Sequence, residues 1–108
     1  MDRADLRTSV SHREDETVVS LAGELDISTA DVLAKTINEE LRLGAGRIVL
    51  DLAGLTFCDS LGLGTLVVLS RTARNQQTYL VLRNPSDFFT RMLEVTGVRQ
   101  GLNLADPS

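Results

Sequence analysis

The segment Asp59-Ser60-Leu61-Gly62 carries the residue types best suited to chemistry in this chain of 108 residues. A strand-forming run over Arg47–Asp51 precedes it, and an apolar helical pattern over Leu63–Arg74 follows it. Ser60 is therefore expected in the first turn of a helix, where backbone N–H groups lack partners. Its hydroxyl can cap the helix, or it can carry a phosphate, because a helix N-terminus favours anions. The local residues leave both roles open.

The other residues with catalytic potential are few. His12 is the only histidine, and nothing in the spacing brings it near Ser60 to form a Ser-His-Asp triad. The nucleophile-elbow pattern Gly-x-Ser-x-Gly is absent around Ser60. We therefore expect His12 to be a surface or edge residue and the protein not to be an enzyme.

Metal and nucleotide sites also lack their usual sequence patterns. One His and one Cys far apart do not give metal-ligand spacing. Gly44-Ala45-Gly46 and Gly62-Leu63-Gly64 lack the lysine and the strand–loop–helix spacing of phosphate-binding loops. Cys58 is expected to pack as a small apolar residue beside a core strand. The sequence thus predicts no metal and no cofactor.

Length and charge restrict the partners and the compartment. A chain of this size predicts a single domain over residues 1–108, with its core at about 5–104. The net charge of −4 argues against nucleic acid as a partner. The single cysteine, the absence of a secretory signal and the absence of an apolar run of about 20 residues predict a cytoplasmic protein without a membrane partner.

Strand and helix patterns alternate along the chain to position the Asp59-Ser60 junction. Strands are predicted at Val10–Arg13, Thr17–Ala22, Arg47–Leu52, Thr78–Leu82 and Leu102–Leu104. Between them lie three helical patterns: one with Leu33, Ile37 and Leu41 on one face, Leu63–Arg74, and one carrying Phe88, Phe89, Met92 and Leu93. The order β-β-α-β-α-β-α-β predicts an α/β fold with a mixed sheet, an N-terminal hairpin followed by parallel strands.

Helix boundaries follow from capping residues. Ser28 is predicted to begin the first helix as part of a capping-box-like start, and Gly44-Ala45-Gly46 to end it. Asn84-Pro85 predicts an N-cap followed by proline at the first position of the third helix, which Gly97 ends. Three helices cannot cover both faces of five strands, so one sheet face is expected to be partly bare or lined by the N-terminal hairpin.

Two segments together resemble a known family. Asp59-Ser60-Leu61-Gly62-Leu63, preceded by Ile48-Val49-Leu50-Asp51-Leu52 and Leu55-Thr56-Phe57, resembles the phosphorylatable segment of anti-sigma-factor antagonists, bacterial members of the STAS domain family. Gly23-Glu24-Leu25-Asp26 resembles that family's second characteristic segment. The hairpin, the element order and the length agree as well, so the resemblance covers roughly residues 5–104.

The resemblance implies a regulatory cycle. In this family the unmodified antagonist binds an anti-sigma factor that is also a serine kinase, and this releases a sigma factor. The kinase then phosphorylates the antagonist's serine, the complex dissociates, and a PP2C-type phosphatase restores the starting state. Carried over, the resemblance makes Ser60 the phosphoacceptor. The implied partner-binding residues are Asp26, Asp59, Leu61, Gly62 and Leu63.

Two points stay open at this stage. The alternative is a STAS subunit that is not phosphorylated and docks the ATPase or permease of a transporter through the same helix. Many relatives also carry a further C-terminal helix, whereas this sequence stops at Asn103-Leu104-Ala105-Asp106-Pro107-Ser108. Absence of that helix would expose apolar surface and favour self-association, so a homodimer is a further expected assembly.

Overall fold

The strand and helix patterns assemble around one sheet in the computed structural model, which describes residues 5–105 except for the side chains of residues 99 and 100. The strands are β1 (Leu6–His12), β2 (Thr17–Leu25), β3 (Arg47–Cys58) and β4 (Tyr79–Arg83). The helices are α1 (Ala30–Arg42), α2 (Ser60–Asn75) and α3 (Asp87–Thr96), and a 3₁₀ turn follows at Val98–Gly101.

The sheet has the spatial order β1-β2-β3-β4. The first two strands form an antiparallel hairpin, and β2 with β3 and β3 with β4 pair in parallel. The predicted mixed sheet with an N-terminal hairpin is therefore confirmed. Parallel pairing brings the carboxyl ends of β2 and β3 to the same edge of the sheet, where Leu25 stands opposite Cys58.

The first and last predicted strands differ from the structure. The strand predicted at Val10–Arg13 instead runs from Leu6 to His12, because Arg13 enters the hairpin turn through a hydrogen bond from its amide to Glu16. The strand predicted at Leu102–Leu104 is reduced to one parallel bridge between Leu104 and Leu82.

The side chain of Asn103 accounts for that short pairing. Its Nδ2 donates to the carbonyl of Leu80 at 3.1 Å, so a side-chain amide takes a position that a backbone amide would occupy in a longer strand. The carbonyl of Asn103 accepts from the Leu82 amide at 2.8 Å, and the Ala105 amide donates to the Leu82 carbonyl at 2.8 Å. The pairing is thus centred on a single residue of β4.

Two helix starts also lie elsewhere than predicted. Thr29, not Ser28, is the residue before α1, and its hydroxyl donates to the Glu24 carbonyl at 2.8 Å. Ser86, not Asn84, caps α3 by accepting a hydrogen bond from the Phe89 amide at 3.1 Å. Asn84 has a positive φ of 59°, which belongs to a turn before the helix.

One face of the sheet carries all three helices. Apolar side chains from each helix join a single buried cluster with alternate residues of β2 and β3, as the sequence pattern predicts for Leu33, Ile37 and Leu41. The main contributors are Leu33, Ile37, Leu41, Leu63, Leu66, Leu69, Phe89, Leu93, Ile48, Leu50 and Leu52.

The opposite face carries none of these helices, as expected for a partly bare sheet. A stripe of valines in register is nevertheless buried there: Val18, Val49 and Val81. Glu16 pairs with Arg47 at 3.3 Å and with Arg83 at 3.8 Å. Arg83 lies opposite Asp51 on β3, whereas Glu16 lies near Arg47, four residues earlier on the same strand. Val49 is midway between Arg47 and Asp51. The Glu16–Arg83 ion pair therefore passes over Val49 and shields it from water.

Candidate functional site

The start of α2 is anchored to the end of β2 through Asp59. The Asp59 amide donates to the Leu25 carbonyl at 3.2 Å. Its carboxylate Oδ1 accepts a hydrogen bond from the Gly62 amide at 2.7 Å, so Asp59 is the N-cap of α2. A capping role for Ser60 is therefore wrong, because the preceding carboxylate already occupies that position.

Ser60 is the first residue of α2 and is exposed. Its hydroxyl forms no hydrogen bond with any other side chain or backbone group in residues 5–105. The first amides of a helix carry partial positive charge, which favours an anionic group at this position. Ser60 thus offers a hydroxyl that the fold does not use, at a helix end suited to a phosphate.

The residues that follow Ser60 divide between surface and core. Leu61 is 55% exposed, whereas Leu63 is 2% exposed and packs in the core. Leu63, one of the implied partner-binding residues, is therefore not accessible to a partner in this structure. Gly62 is buried, and a Cβ at this residue would lie 2.5 Å from the Leu25 carbonyl oxygen. Gly62 and Leu63 accordingly hold the helix start in place, while Leu61 projects from it.

Asp26 lies beside Asp59 because each directly follows one residue of the Leu25–Cys58 pair. The Asp26 Oδ1 accepts hydrogen bonds from the hydroxyl of Ser28 at 2.7 Å and from its amide at 2.8 Å. These bonds, the hydroxyl first, lower the pKa of Asp26 below its usual value. Asp26 and Asp59 thus form an acidic pair at the sheet edge next to Ser60.

A groove of about 620 Å³ between α1 and α2 begins beside Leu61. The small residues Ala30, Ala34 and Gly64 are among those that line it, and Val68, 57% exposed, continues the apolar surface along α2. Its lining residues are Ala30, Asp31, Ala34, Asn38, Leu61, Gly64, Thr65, Val68, Leu69 and Thr72. The α1 side was not predicted from the sequence, although the small residues Ala30 and Ala34, four apart and so on one helix face, are a signal for close helix approach.

Ile27 is a second exposed apolar residue at this edge, and it was not predicted from the sequence. It is 72% exposed and lies between Asp26 and Ser28 in the loop that leads to α1. A large apolar residue in a polar loop is a signal for a contact surface. Together with Leu61, it places apolar surface on two adjacent connections at this edge of the sheet.

Cys58 lies just before the site but is not exposed to it. Only 1% of the residue is accessible, and burial, with the nearby Asp59 charge as a smaller contribution, raises the pKa of the thiol to about 12. A protonated, buried thiol is a poor nucleophile. The prediction that Cys58 packs as a small apolar residue is confirmed.

His12 has a structural contact that the sequence did not indicate. Its Nε2 lies 2.6 Å from Oε1 of Glu40, a buried residue of α1. The His12 side chain itself is 62% exposed, in agreement with the prediction of an edge residue. Its contact with Glu40 connects the hairpin to α1 and lies apart from Ser60.

Two further observations concern the described residues as a whole. Across residues 5–105, no three or more His, Cys, Asp and Glu side chains are grouped so that they could hold a metal ion. Within the same range, no helix has the length and apolar character to cross a membrane. The fold and the site together define a small α/β domain with an exposed serine at the start of α2.

Comparison with known proteins identifies the family. The model described as "Mlab, STAS domain" matches residues 8–105, and the chain belongs to the STAS domain family. The anti-sigma-B factor antagonist of Bacillus subtilis is 27% identical over 104 residues, which cover 96% of this chain and 94% of that protein. The anti-sigma-B factor antagonist of Listeria monocytogenes is 33% identical over 85 residues, which cover 78% of this chain and 74% of that protein.

A solved structure supports the same grouping. The crystal structure of an anti-sigma factor antagonist from Mycobacterium paratuberculosis is 26% identical and superposes with a TM-score of 0.78. The match covers 95% of this chain and 87% of that one. The resemblance based on the Asp59–Leu63 and Gly23–Asp26 segments is thus confirmed, and these relatives are named as antagonists of anti-sigma factors.

Proposed function

We propose that this protein is an anti-sigma factor antagonist regulated by phosphorylation of Ser60. In its unphosphorylated form it binds an anti-sigma factor that is also a serine kinase, and this binding releases a sigma factor. The names of the Bacillus and Listeria relatives support the antagonist role. A PP2C-type phosphatase completes the cycle by removing the phosphate.

The observation that carries the proposal is the division of roles between Asp59 and Ser60. Asp59 caps α2, so the Ser60 hydroxyl is exposed and has no hydrogen bond to another described residue. A kinase can therefore reach the hydroxyl without first breaking the helix cap. A serine that served as the cap would be lost from that role on phosphorylation.

The acidic neighbours of Ser60 explain how one phosphate switches binding. Phosphorylation adds about −1.5 to −2 charges at pH 7. The N-terminus of α2 tolerates this charge within the domain. At an interface built around a neutral hydroxyl, the same charge adds to those of Asp26 and Asp59 and is costly to desolvate. The modification thus weakens binding while the fold stays intact.

The proposed contact surface consists of Asp26, Asp59 and Leu61. Leu61 supplies exposed apolar area, and the two carboxylates give the surface its negative charge. Gly62 and Leu63 contribute from beneath, by holding the first turn of α2 against β2. A partner with an apolar pocket for Leu61 and neutral hydrogen-bond donors for the two carboxylates fits this arrangement.

The phosphoacceptor is tested by incubating the protein with ATP and the anti-sigma kinase encoded nearest to its gene, followed by mass spectrometry. We expect one phosphate on the wild type and none on Ser60→Ala. Ser28→Ala is the matched control, because Ser28 is the other exposed serine at this edge, and it should be phosphorylated like the wild type. Phosphate on Ser60→Ala would show that the site is elsewhere.

The switch is tested by calorimetric titration of the same kinase with Ser60→Asp and Ser60→Ala. We expect Ser60→Ala to bind like the wild type and Ser60→Asp to bind at least about tenfold more weakly, which corresponds to roughly 1.4 kcal/mol. Equal affinities would contradict the charge switch. Binding to a transporter ATPase, with no phosphorylation by any kinase tested, would instead support the transporter-subunit alternative.

A further inference from the structure

The outer edge of β1 is an unpaired strand edge within residues 5–105. In that range β1 pairs only with β2, and its seven residues, Leu6–His12, run without a bulge. No proline interrupts it, and Arg7 is the only Lys, Arg, Asp or Glu in it. Proteins usually protect such flat edges with charges, bulges or proline, because the free backbone groups can pair with another strand.

Hydrogen bonds to β2 show which residues of β1 face outward. The Asp5 carbonyl accepts from the Glu24 amide at 2.8 Å, and the Arg13 amide donates to the Glu16 carbonyl at 2.8 Å. In an antiparallel pair the residues alternate between those bonded to the neighbour and those not bonded to it. The odd-numbered residues thus bond to β2, and the even-numbered residues of β1 direct their N–H and C=O groups to the free edge.

We propose that this edge pairs with β1 of a second copy of the chain, antiparallel, about a two-fold axis at Ser9. This register sets Leu6 opposite His12 and Thr8 opposite Val10 of the second copy, so every outward-facing residue of the strand has a partner. The result is one continuous eight-stranded sheet across two copies of the four-stranded sheet.

Charge complementarity favours this register, and it favours a second copy of the chain as the partner of the free edge. With the axis at Ser9, Asp5 of one copy stands opposite Arg13 of the other, and the symmetry repeats the pair at the far end of the seam. Both residues are exposed in the single chain. Opposite charges directly across strands stabilise pairing, whereas like charges there destabilise it. The strand is therefore self-complementary in charge as well as in hydrogen bonding.

Exposed apolar residues on the same side of the molecule provide a second, independent observation. Thr36 of α1 contacts Thr8 of β1 at 3.2 Å, which identifies the side of α1 that faces this edge. Val32 and Leu43 lie four residues before and seven residues after Thr36, on the same side of the helix, and are 40% and 59% exposed. Val10, 36% exposed, adds to this apolar area. A second copy would cover all three.

The dimer is independent of the switch at Ser60. Two strands, β1 and β2, separate the free edge from β3, which leads into Ser60. Pairing through β1 therefore leaves the start of α2 accessible in both copies. A failure of the dimer test would leave the proposed function intact. In the same way, a failure of the phosphorylation test at Ser60 would leave the proposed dimer intact.

Disulfide trapping tests the register. Ser9 lies on the axis, where non-hydrogen-bonded neighbours have Cα atoms about 4.5 Å apart, within disulfide range. Ser9→Cys should form a covalent dimer under mild oxidation. Ser11→Cys is the matched control: it is exposed on the same strand face, but its symmetry mate lies about 13 Å away by strand rise, beyond disulfide reach. Native Cys58 is buried and does not compete.

A charge exchange tests the same interface without cysteines. Asp5→Arg and Arg13→Asp should each weaken self-association by about tenfold in sedimentation equilibrium, because like charges then face each other. Mixing the two variants should restore a heterodimer, in which opposite charges again face each other at both ends. Circular dichroism should show that both variants stay folded. A wild type that is monomeric at all concentrations, equal trapping of Ser9→Cys and Ser11→Cys, or no heterodimer would overturn the proposal.

Discussion

Gly62 packs directly against the carbonyl of Leu25, so closely that a Cβ on Gly62 would lie 2.5 Å from the carbonyl oxygen and 2.9 Å from Leu25 Cγ. The same carbonyl accepts the Asp59 amide at 3.2 Å. One backbone group at the end of β2 therefore determines both how the chain enters α2 and how close the helix lies. The position of Ser60 between these two contacts follows from them.

Gly62→Ala should destabilise the protein, and Gly64→Ala should not. The added methyl at Gly62 meets backbone, which cannot move aside, and overpacking of this kind costs about 1–3 kcal/mol. A Cβ at Gly64 has no atom within 4 Å, so alanine there should add up to about 1 kcal/mol through helix propensity. Urea denaturation of both variants measures the difference, and equal stabilities would contradict the close packing at Leu25.

Leu61→Ala should weaken binding of the kinase without changing the stability of the free protein. Leu61 is 55% exposed, so its truncation should alter the free energy of unfolding by less than about 0.5 kcal/mol. As the exposed apolar residue next to Ser60, it should contribute more than about 1 kcal/mol to binding. Val95→Ala on α3, where Val95 is 80% exposed, is the control and should bind like the wild type. Equal affinities for the two variants would remove Leu61 from the interface.

Helix faces and buried strands were predictable because their signals are local. The spacing of Leu33, Ile37 and Leu41 fixes one side of α1, and all three are buried. The apolar run at Arg47–Leu52 predicts a buried strand, and Ile48, Val49, Leu50 and Leu52 of β3 are all buried. Periodicity of this kind follows from the geometry of a single element, so it needs no knowledge of the neighbouring elements.

Capping residues were harder to predict because their partners lie outside the local sequence. Ser28 has the residue type of a cap, but its hydroxyl donates to Asp26. Asn84 also has that residue type, but its Nδ2 donates to Asp51 on β3 at 3.2 Å. At the site itself, both Asp59 and Ser60 are good N-cap residues in sequence. The anchoring of the Asp59 amide to Leu25 decides between them, and strand pairing creates that contact.

Ser70→Ala should stabilise the protein. Ser70 lies on the buried side of α2, 3% exposed, and its hydroxyl has no hydrogen-bond partner among the described residues 5–105. An unsatisfied buried hydroxyl costs about 1–3 kcal/mol, and alanine also favours the helix, so a gain of about 1 kcal/mol is expected. Thr78→Val is the opposite control, because the Thr78 hydroxyl donates to the Ala45 carbonyl at 2.6 Å and its loss should destabilise. Thermal unfolding compares the two; a loss of stability in Ser70→Ala would mean that its hydroxyl is hydrogen-bonded in solution.

Cys58 should make the protein less stable as the pH rises above the usual thiol pKa. Burial, and to a smaller extent the Asp59 charge, raises the pKa of Cys58 from 9.0 to about 12 in the folded protein. Between these values the unfolded chain releases the thiol proton while the folded chain retains it. Because the unfolded state then binds fewer protons, the free energy of unfolding must fall with rising pH.

Cys58→Ala isolates this effect from the titration of other groups. The variant lacks the thiol, so its stability should fall less steeply than that of the wild type as the pH increases from 9.0 towards 12. The difference in free energy of unfolding between the two proteins, measured by urea denaturation at several pH values, should therefore shrink with rising pH. A difference that is constant with pH would mean that the thiol ionises in the folded protein as readily as in the unfolded chain. Cys58 would then be open to solvent beside Ser60 rather than closed off beneath it.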